Sequence, residues 1–198
     1  MKLQRVLRYA VLFASLLIPA CRSGSGGGSQ TGQMYGKYKL FGVYLDQPIG
    51  EQKARENATD VLTQLQTDKN LCLIGLWAYN PPAVLSAVKD AGRTGDVKIV
   101  GFDEDFATLQ GIQDGQIYGT VVQDPFGFGY EAVKILSHMV RDGDDRILKS
   151  YKDLDNLNRI VIPHRVITKE AGTLPETNGT LPVDPFYAEL KKLKGDVQ

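Results

Sequence analysis

Short apolar runs alternate with amphipathic stretches from Lys37 onward. Tyr38-Lys39-Leu40-Phe41-Gly42-Val43-Tyr44-Leu45 predicts a strand. Ala54, Ala58, Val61, Leu62 and Leu65 then fall on one face of a helix. Leu71 to Leu76 is continuously apolar, as in a strand covered on both faces. Val84, Leu85, Val88 and Ala91 predict a helix that starts after Pro81-Pro82 and stops at Gly92. Val97 to Phe102 is the next strand. Phe106, Leu109 and Ile112 mark a short helix closed by Asp114-Gly115, and Ile117 to Val122 is a further strand. A helix follows through Val133, Leu136, Met139 and Val140. Arg159 to Thr168 predicts a last strand, interrupted by Pro163, whose missing N–H suits an edge. Strand–helix repeats with such short connections predict an α/β fold, a parallel sheet with flanking helices in three αβα layers.

The two ends read differently. Lys2, Arg5 and Arg8 precede an apolar run from Tyr9 to Ile18, the pattern of an export signal over residues 1–20. That run falls short of the roughly 20 apolar residues a membrane span needs. It ends in Ile18-Pro19-Ala20-Cys21, similar to a bacterial lipobox, so Cys21 is the expected lipidation site. A plain secretory signal followed by a chance cysteine is the alternative. Residues 21–36 are Gly/Ser-rich and read as a flexible tether. Residues 170–198 read as a Pro/Gly-rich tail with a short helix over Phe186–Leu193.

Composition narrows the chemistry. The chain has 198 residues, 42% hydrophobic and 23% charged, which is enough for a packed core. Its 23 basic and 23 acidic residues balance, with no basic face, so nucleic acid is not an expected partner. With Cys21 acylated, Cys72 has no disulfide partner. It lies in the apolar run Leu71-Cys72-Leu73-Ile74, where it reads as buried filler. There is no GxGxxG after a strand and no P-loop lysine, and His138 and His164 stand outside any Cys/His cluster. No cofactor, metal or catalytic residue is expected. One acidic run, Asp103-Glu104-Asp105, leaves open a minor reading as a metal-dependent enzyme.

Ligands of open α/β sheets bind beyond the carboxyl ends of the strands. Those ends carry Asp46, Gln47, Gly50 and Gln52, then Trp77, Tyr79 and Asn80, then Asp103, Glu104 and Asp105, then Gln123 and Asp124. Aromatic faces beside planar amides and carboxylates suit sugars, which stack and present vicinal hydroxyls. The same residues could instead serve as caps and turn formers, with Asp103 or Asp105 capping the helix at Phe106.

The stretch from Val97 to Leu136 resembles type I periplasmic binding proteins of the ribose-binding kind, a family that includes the effector domains of LacI-type repressors. The resemblance lies in Val100-Gly101-Phe102-Asp103, Ile112-Gln113-Asp114-Gly115, Thr120-Val121-Val122-Gln123 and the Pro125 to Gly129 helix start. Leu71 to Asn80 matches the family's strand ending in asparagine. The resemblance covers about residues 38 to 168. It implies that Asn80, Asp103 and Gln123 face a sugar-binding cleft, with Trp77 or Tyr79 as stacking faces. It also implies that residues 37–169 are mainly the C-terminal lobe, with 124–158 crossing to an N-terminal lobe absent from this sequence. The lobe's opening strand and helix, with the arginine that often grips the ligand, are missing too. Asn80 departs from the family in being followed by Pro81-Pro82.

The implied function is an extracytoplasmic solute-binding lipoprotein, or a truncated remnant of one, at the periplasm or cell surface. It would bind a monosaccharide for import by an ABC-type transporter. Its implied partners are the sugar, the permease, the membrane through the lipid anchor and a separate N-lobe. A sensing module that presents a bound sugar to a membrane receptor is the alternative. The repressor branch is disfavoured because an export signal stands where a DNA-binding motif would be.

Overall fold

The computed structural model describes residues 9–13, 32–35, 38–142, 162–172 and 181–195. Its strands are β1 (Tyr9–Phe13), β2 (Met34–Tyr35), β3 (Tyr38–Tyr44), β4 (Leu71–Gly75), β5 (Lys98–Phe102), β6 (Gly119–Val122), β7 (Arg165–Thr168) and β8 (Leu181–Pro182). Its helices are α1 (Glu51–Gln64), α2 (Asn80–Asp90), α3 (Phe106–Gln113), α4 (Pro125–Asp142) and α5 (Val183–Gly195). The strands form one sheet in the order β2-β3-β1-β4-β5-β6-β7-β8. The α/β class with flanking helices is as the sequence predicts.

Three features differ from expectation. The sheet is mixed, because β2 pairs antiparallel with β3 through Met34↔Lys39 and Tyr35↔Tyr38. The end of the Gly/Ser-rich segment is thus drawn onto the sheet edge, where Gly32 N–H also donates to the Leu40 carbonyl at 2.7 Å. Second, Tyr9–Phe13, inside the apolar run read as an export signal, is a strand. It runs parallel to both β3 and β4 and lies between them. Third, part of the tail docks. β8 pairs parallel with β7, and α5 buries Val183 and Phe186. Tyr187 meets Phe106 of α3 edge-on, with centroids 5.5 Å apart.

Chain Met1–Val121 with Val166–Gln198 makes one compact unit, and Val122–Arg165 a second. The core of the first is Leu71 and Leu73 of β4 and Ile99 of β5. Over them pack Ala54, Ala58, Val61 and Leu62 of α1, Val84 and Val88 of α2, and Leu109 and Ile112 of α3. These are the positions that carry the helical and strand periodicities. α2 begins at Asn80, with Pro81 and Pro82 in its first turn rather than before it. Proline is tolerated there because first-turn N–H groups lack intrahelical acceptors. Arg93 ties the helix ends together: its guanidinium donates to the Leu65 carbonyl at 3.0 Å and to the Asp68 carbonyl.

In the second unit, α4 carries exposed apolar side chains at Phe126, Val133, Leu136 and Val140, and Phe126 stacks on Tyr130 at 6.1 Å. The predicted strand from Arg159 is present from Arg165; residues 159–161 lie outside the described residues.

Candidate ligand site

β4 and β5 run parallel in a register that sets Ile74 beside Val100. The chain therefore leaves both strands at the same edge of the sheet, and β3 ends in that direction too through its parallel pairing with β1. The candidate polar and aromatic residues of the first unit sit in the loops beyond.

The β4–α2 loop is organised around Asn80, which is fully buried. Its Nδ2 donates to Asp46 Oδ2 at 2.5 Å, and its Oδ1 accepts from the Trp77 N–H at 2.9 Å. The backbone repeats the link, Asn80 N–H donating to the Trp77 carbonyl at 2.9 Å. Gly75 makes room for this: a Cβ there would lie 2.6 Å from the Asn80 Cβ. Asn80 thus holds the loop from beneath and presents no surface of its own.

Its partner Asp46 was only one of several polar residues after β3 in the sequence. Asp46 is fully buried, its carbonyl accepts from Gly50 N–H at 2.7 Å, and its Oδ1 has no hydrogen-bond partner among the described residues. Nothing in the strand pattern separates Asp46 from the exposed Gln47 beside it. What buries it is the approach of α2.

Above this buried pair lie the aromatic groups. Trp77 is 45% exposed. Tyr79 is half-buried, and its hydroxyl accepts from Gln47 Nε2 at 2.9 Å, which bridges the loops after β3 and β4.

Beyond β5, Asp103 has φ 67°, the one non-glycine residue in the left-handed region among those described. Asp and Asn visit that region more readily than most side chains. The position is pinned by Asp103 N–H donating to the Val121 carbonyl, and by Thr120 Oγ1 donating to the Asp103 carbonyl, both at 2.9 Å. Asp105 does what a cap does: its Oδ1 accepts from Ala107 N–H at 2.8 Å and Thr108 N–H at 3.2 Å. Asp103, Glu104 and Asp105 do not gather as ligands. Among the described residues no group of three or more His, Cys, Asp or Glu could hold a metal ion.

Gln123 belongs to the second unit, where it is exposed and its carbonyl accepts from Arg165 at 3.5 Å. Asp124 caps the start of α4 through Gly127 N–H at 2.9 Å. Cys21 lies outside the described residues. Cys72 is buried in β4, and burial pushes its thiol up to about 11, against a smaller lowering by Lys98. A groove of about 860 Å3 runs between α1 and α2, lined by residues such as Arg55, Asp60 and Asp90. None of the strand-end side chains lines it.

An α/β sheet carrying aromatic and acidic side chains beyond the carboxyl ends of its strands is the frame of a solute-binding lobe. The sequence pattern of the periplasmic binding protein domain matches residues 22–145, more than half of the chain, and the chain belongs to that family. No curated protein matches it significantly. Among solved structures it is similar to GanP, a glucose-galactose binding protein from Geobacillus stearothermophilus. There the identity is 26% over 67% of this chain and 42% of that one, with a TM-score of 0.54. It shares its fold with an ABC transporter solute-binding protein from Agrobacterium vitis with bound D-fucose, at 21% identity over 88% and 56% of the two chains and a TM-score of 0.57. It also shares it with a carbohydrate transporter solute-binding protein from Agrobacterium radiobacter in complex with D-arabinose, at 22% identity over 81% and 50% and a TM-score of 0.53. The chain spans about half the length of these proteins.

Proposed function

We propose that the chain is a sugar-binding component of the cell envelope, one lobe of a receptor for a monosaccharide, serving ABC-type import. The observation that carries this reading is the strand-end arrangement. Trp77 and the bridged Gln47–Tyr79 pair lie beyond β3 and β4, and the pinned carboxylate residue Asp103 lies beyond β5. A stacking face together with planar acceptors and donors is the chemistry that distinguishes sugars from other small solutes. The sugars described with the solved proteins of the same fold point the same way.

In this reading Asp103 accepts from sugar hydroxyls, and Trp77 or Tyr79 stacks. Asn80 acts indirectly, by holding the loop that carries both aromatics. The protein is anchored through a lipid on Cys21, and the ABC permease is its membrane partner. A second lobe completes the cleft, since proteins that close two lobes on a ligand draw contacts from both.

Thermal unfolding of the Cys21→Ser chain, with and without a panel of pentoses and hexoses, tests the reading. One sugar is expected to raise the midpoint in a concentration-dependent way. A midpoint indifferent to every sugar, at concentrations up to tens of millimolar, would count against sugar recognition by this chain.

A further inference from the structure

α4 runs for 18 residues, a length of about 27 Å, and has two unlike faces. Gly127, Glu131, Lys134, Ile135 and His138 are half-buried and make up one of them. A Cβ at Gly127 would meet the Ile162 side chain at 3.2 Å, so this face packs within its own unit. Glu131 and Lys134 pair there at 3.2 Å. The opposite face is centred on Val133. At 3.6 residues per turn, Phe126 and Val140 lie about 20° from the Val133 direction, Gly129 and Ser137 about 40°, and Tyr130 and Leu136 about 60°. All of these positions are exposed, and none is charged. The five large side chains among them are 58% to 86% exposed.

We propose that a second copy of this chain covers that face, α4 packing antiparallel on α4 about a two-fold axis at Val133. Two features point to a copy. The first is that the stripe is its own complement. Turned end over end about Val133, it sets Val133 against itself and Phe126 beside Val140 of the other copy. It also sets Tyr130 over Ser137 and Leu136 over Gly129, bulky against small, at both ends of the pair at once. A parallel pair would instead crowd Phe126 on Phe126 and leave Gly129 facing Gly129. The second feature is area. The stripe leaves on the order of 600 Å2 of apolar surface uncovered per copy, roughly 1,200 Å2 in a pair, above the ~1,000 Å2 a specific interface requires. Monomers rarely expose so large an apolar stripe. Glu131 and Lys134 stay on the far face, so the contact buries no ion. The pairing uses α4 alone and stands apart from the sugar-binding reading.

Sedimentation equilibrium of the full chain carrying Cys21→Ser, from about 1 to 300 μM, tests the proposal. The mass should rise reversibly from 21.8 kDa toward twice that value as concentration increases. Val133→Glu opposes two carboxylates across the axis and should weaken the dimer at least about tenfold. Val133 is exposed, so the helix content read by far-UV circular dichroism should not change. Tyr118→Glu, at an exposed site in the first unit, should leave the dimer as it is. Disulfide trapping reads the orientation, with copper–phenanthroline taking up the two electrons lost when two thiols join. Phe126→Cys chains mixed with Val140→Cys chains should yield at least about tenfold more cross-linked dimer than Phe126→Cys chains alone. A 21.8 kDa species at every concentration, as expected if a separate lobe is the occupant, would overturn the proposal. So would a dimer indifferent to Val133→Glu, or a preference for the link between two Phe126→Cys chains.

Discussion

Asp46 and Asn80, 34 positions apart in the chain, meet as a fully buried carboxylate–amide pair at 2.5 Å. The pair joins the loop after β3 to the first residue of α2, and Asn80 passes the constraint on to Trp77 through its Oδ1. A buried carboxylate is tolerable only with partners, and Asn80 is the one side chain that donates to this one among the described residues.

Removing one member should therefore hurt more than removing both. Asn80→Ala is expected to lower unfolding free energy by about 1–3 kcal/mol, since it leaves a buried acceptor without its donor. With Asp46→Ala added, the loss should fall short of the summed single losses by about 1 kcal/mol or more. Urea unfolding of the four chains checks it, and strict additivity would show that the contact carries no coupling.

Asp103 offers a cleaner separation of binding from folding. Asn tolerates the same left-handed backbone, so Asp103→Asn should leave stability within about 0.5 kcal/mol of the parent. It should weaken a sugar response by about 1–3 kcal/mol through loss of a charged acceptor. A variant that binds as tightly as the parent would remove Asp103 from the site.

Asp105 should behave in the opposite way. Its side chain is committed to two N–H groups of α3. Asp105→Ala is expected to destabilise the fold by about 1 kcal/mol and to leave the sugar dependence of the melting midpoint unchanged. A lost sugar response without lost stability would restore Asp105 as a ligand residue.

Cys72 links pH to stability. Its thiol is raised from 9.0 to about 11 by burial, so the folded chain keeps the proton after the unfolded chain has released it. The stabilisation is complete below pH 9 and is lost progressively as pH rises toward 11. Cys72→Ala should flatten that part of the pH–stability curve. In the parent at neutral pH, iodoacetamide should modify Cys72 slowly until the protein is unfolded.

How much of this was readable in advance varies from residue to residue. Asp105 as a cap was foreseeable, because an acidic residue directly before an apolar helical period has few other local roles. The strands and helices between Tyr38 and Val140 follow from period and punctuation, and Pro81-Pro82 misled only over where α2 begins. Asp46 could not be found in this way. A strand-end aspartate looks the same in sequence whether α2 covers it or not, and here that depends on Gly75 letting Asn80 approach. The positive φ of Asp103 is equally nonlocal, being imposed by hydrogen bonds from β6.

The sequence by itself determined the α/β alternation, the family and the set of polar and aromatic groups available at the strand ends, because periodicity and turn chemistry are local properties. Only the tertiary structure decided which of those groups turn inward, since burial depends on what a distant element covers. The same holds for Tyr9–Phe13. Five apolar residues suit a leader and an internal strand equally well, and only pairing with both β3 and β4 makes them a strand.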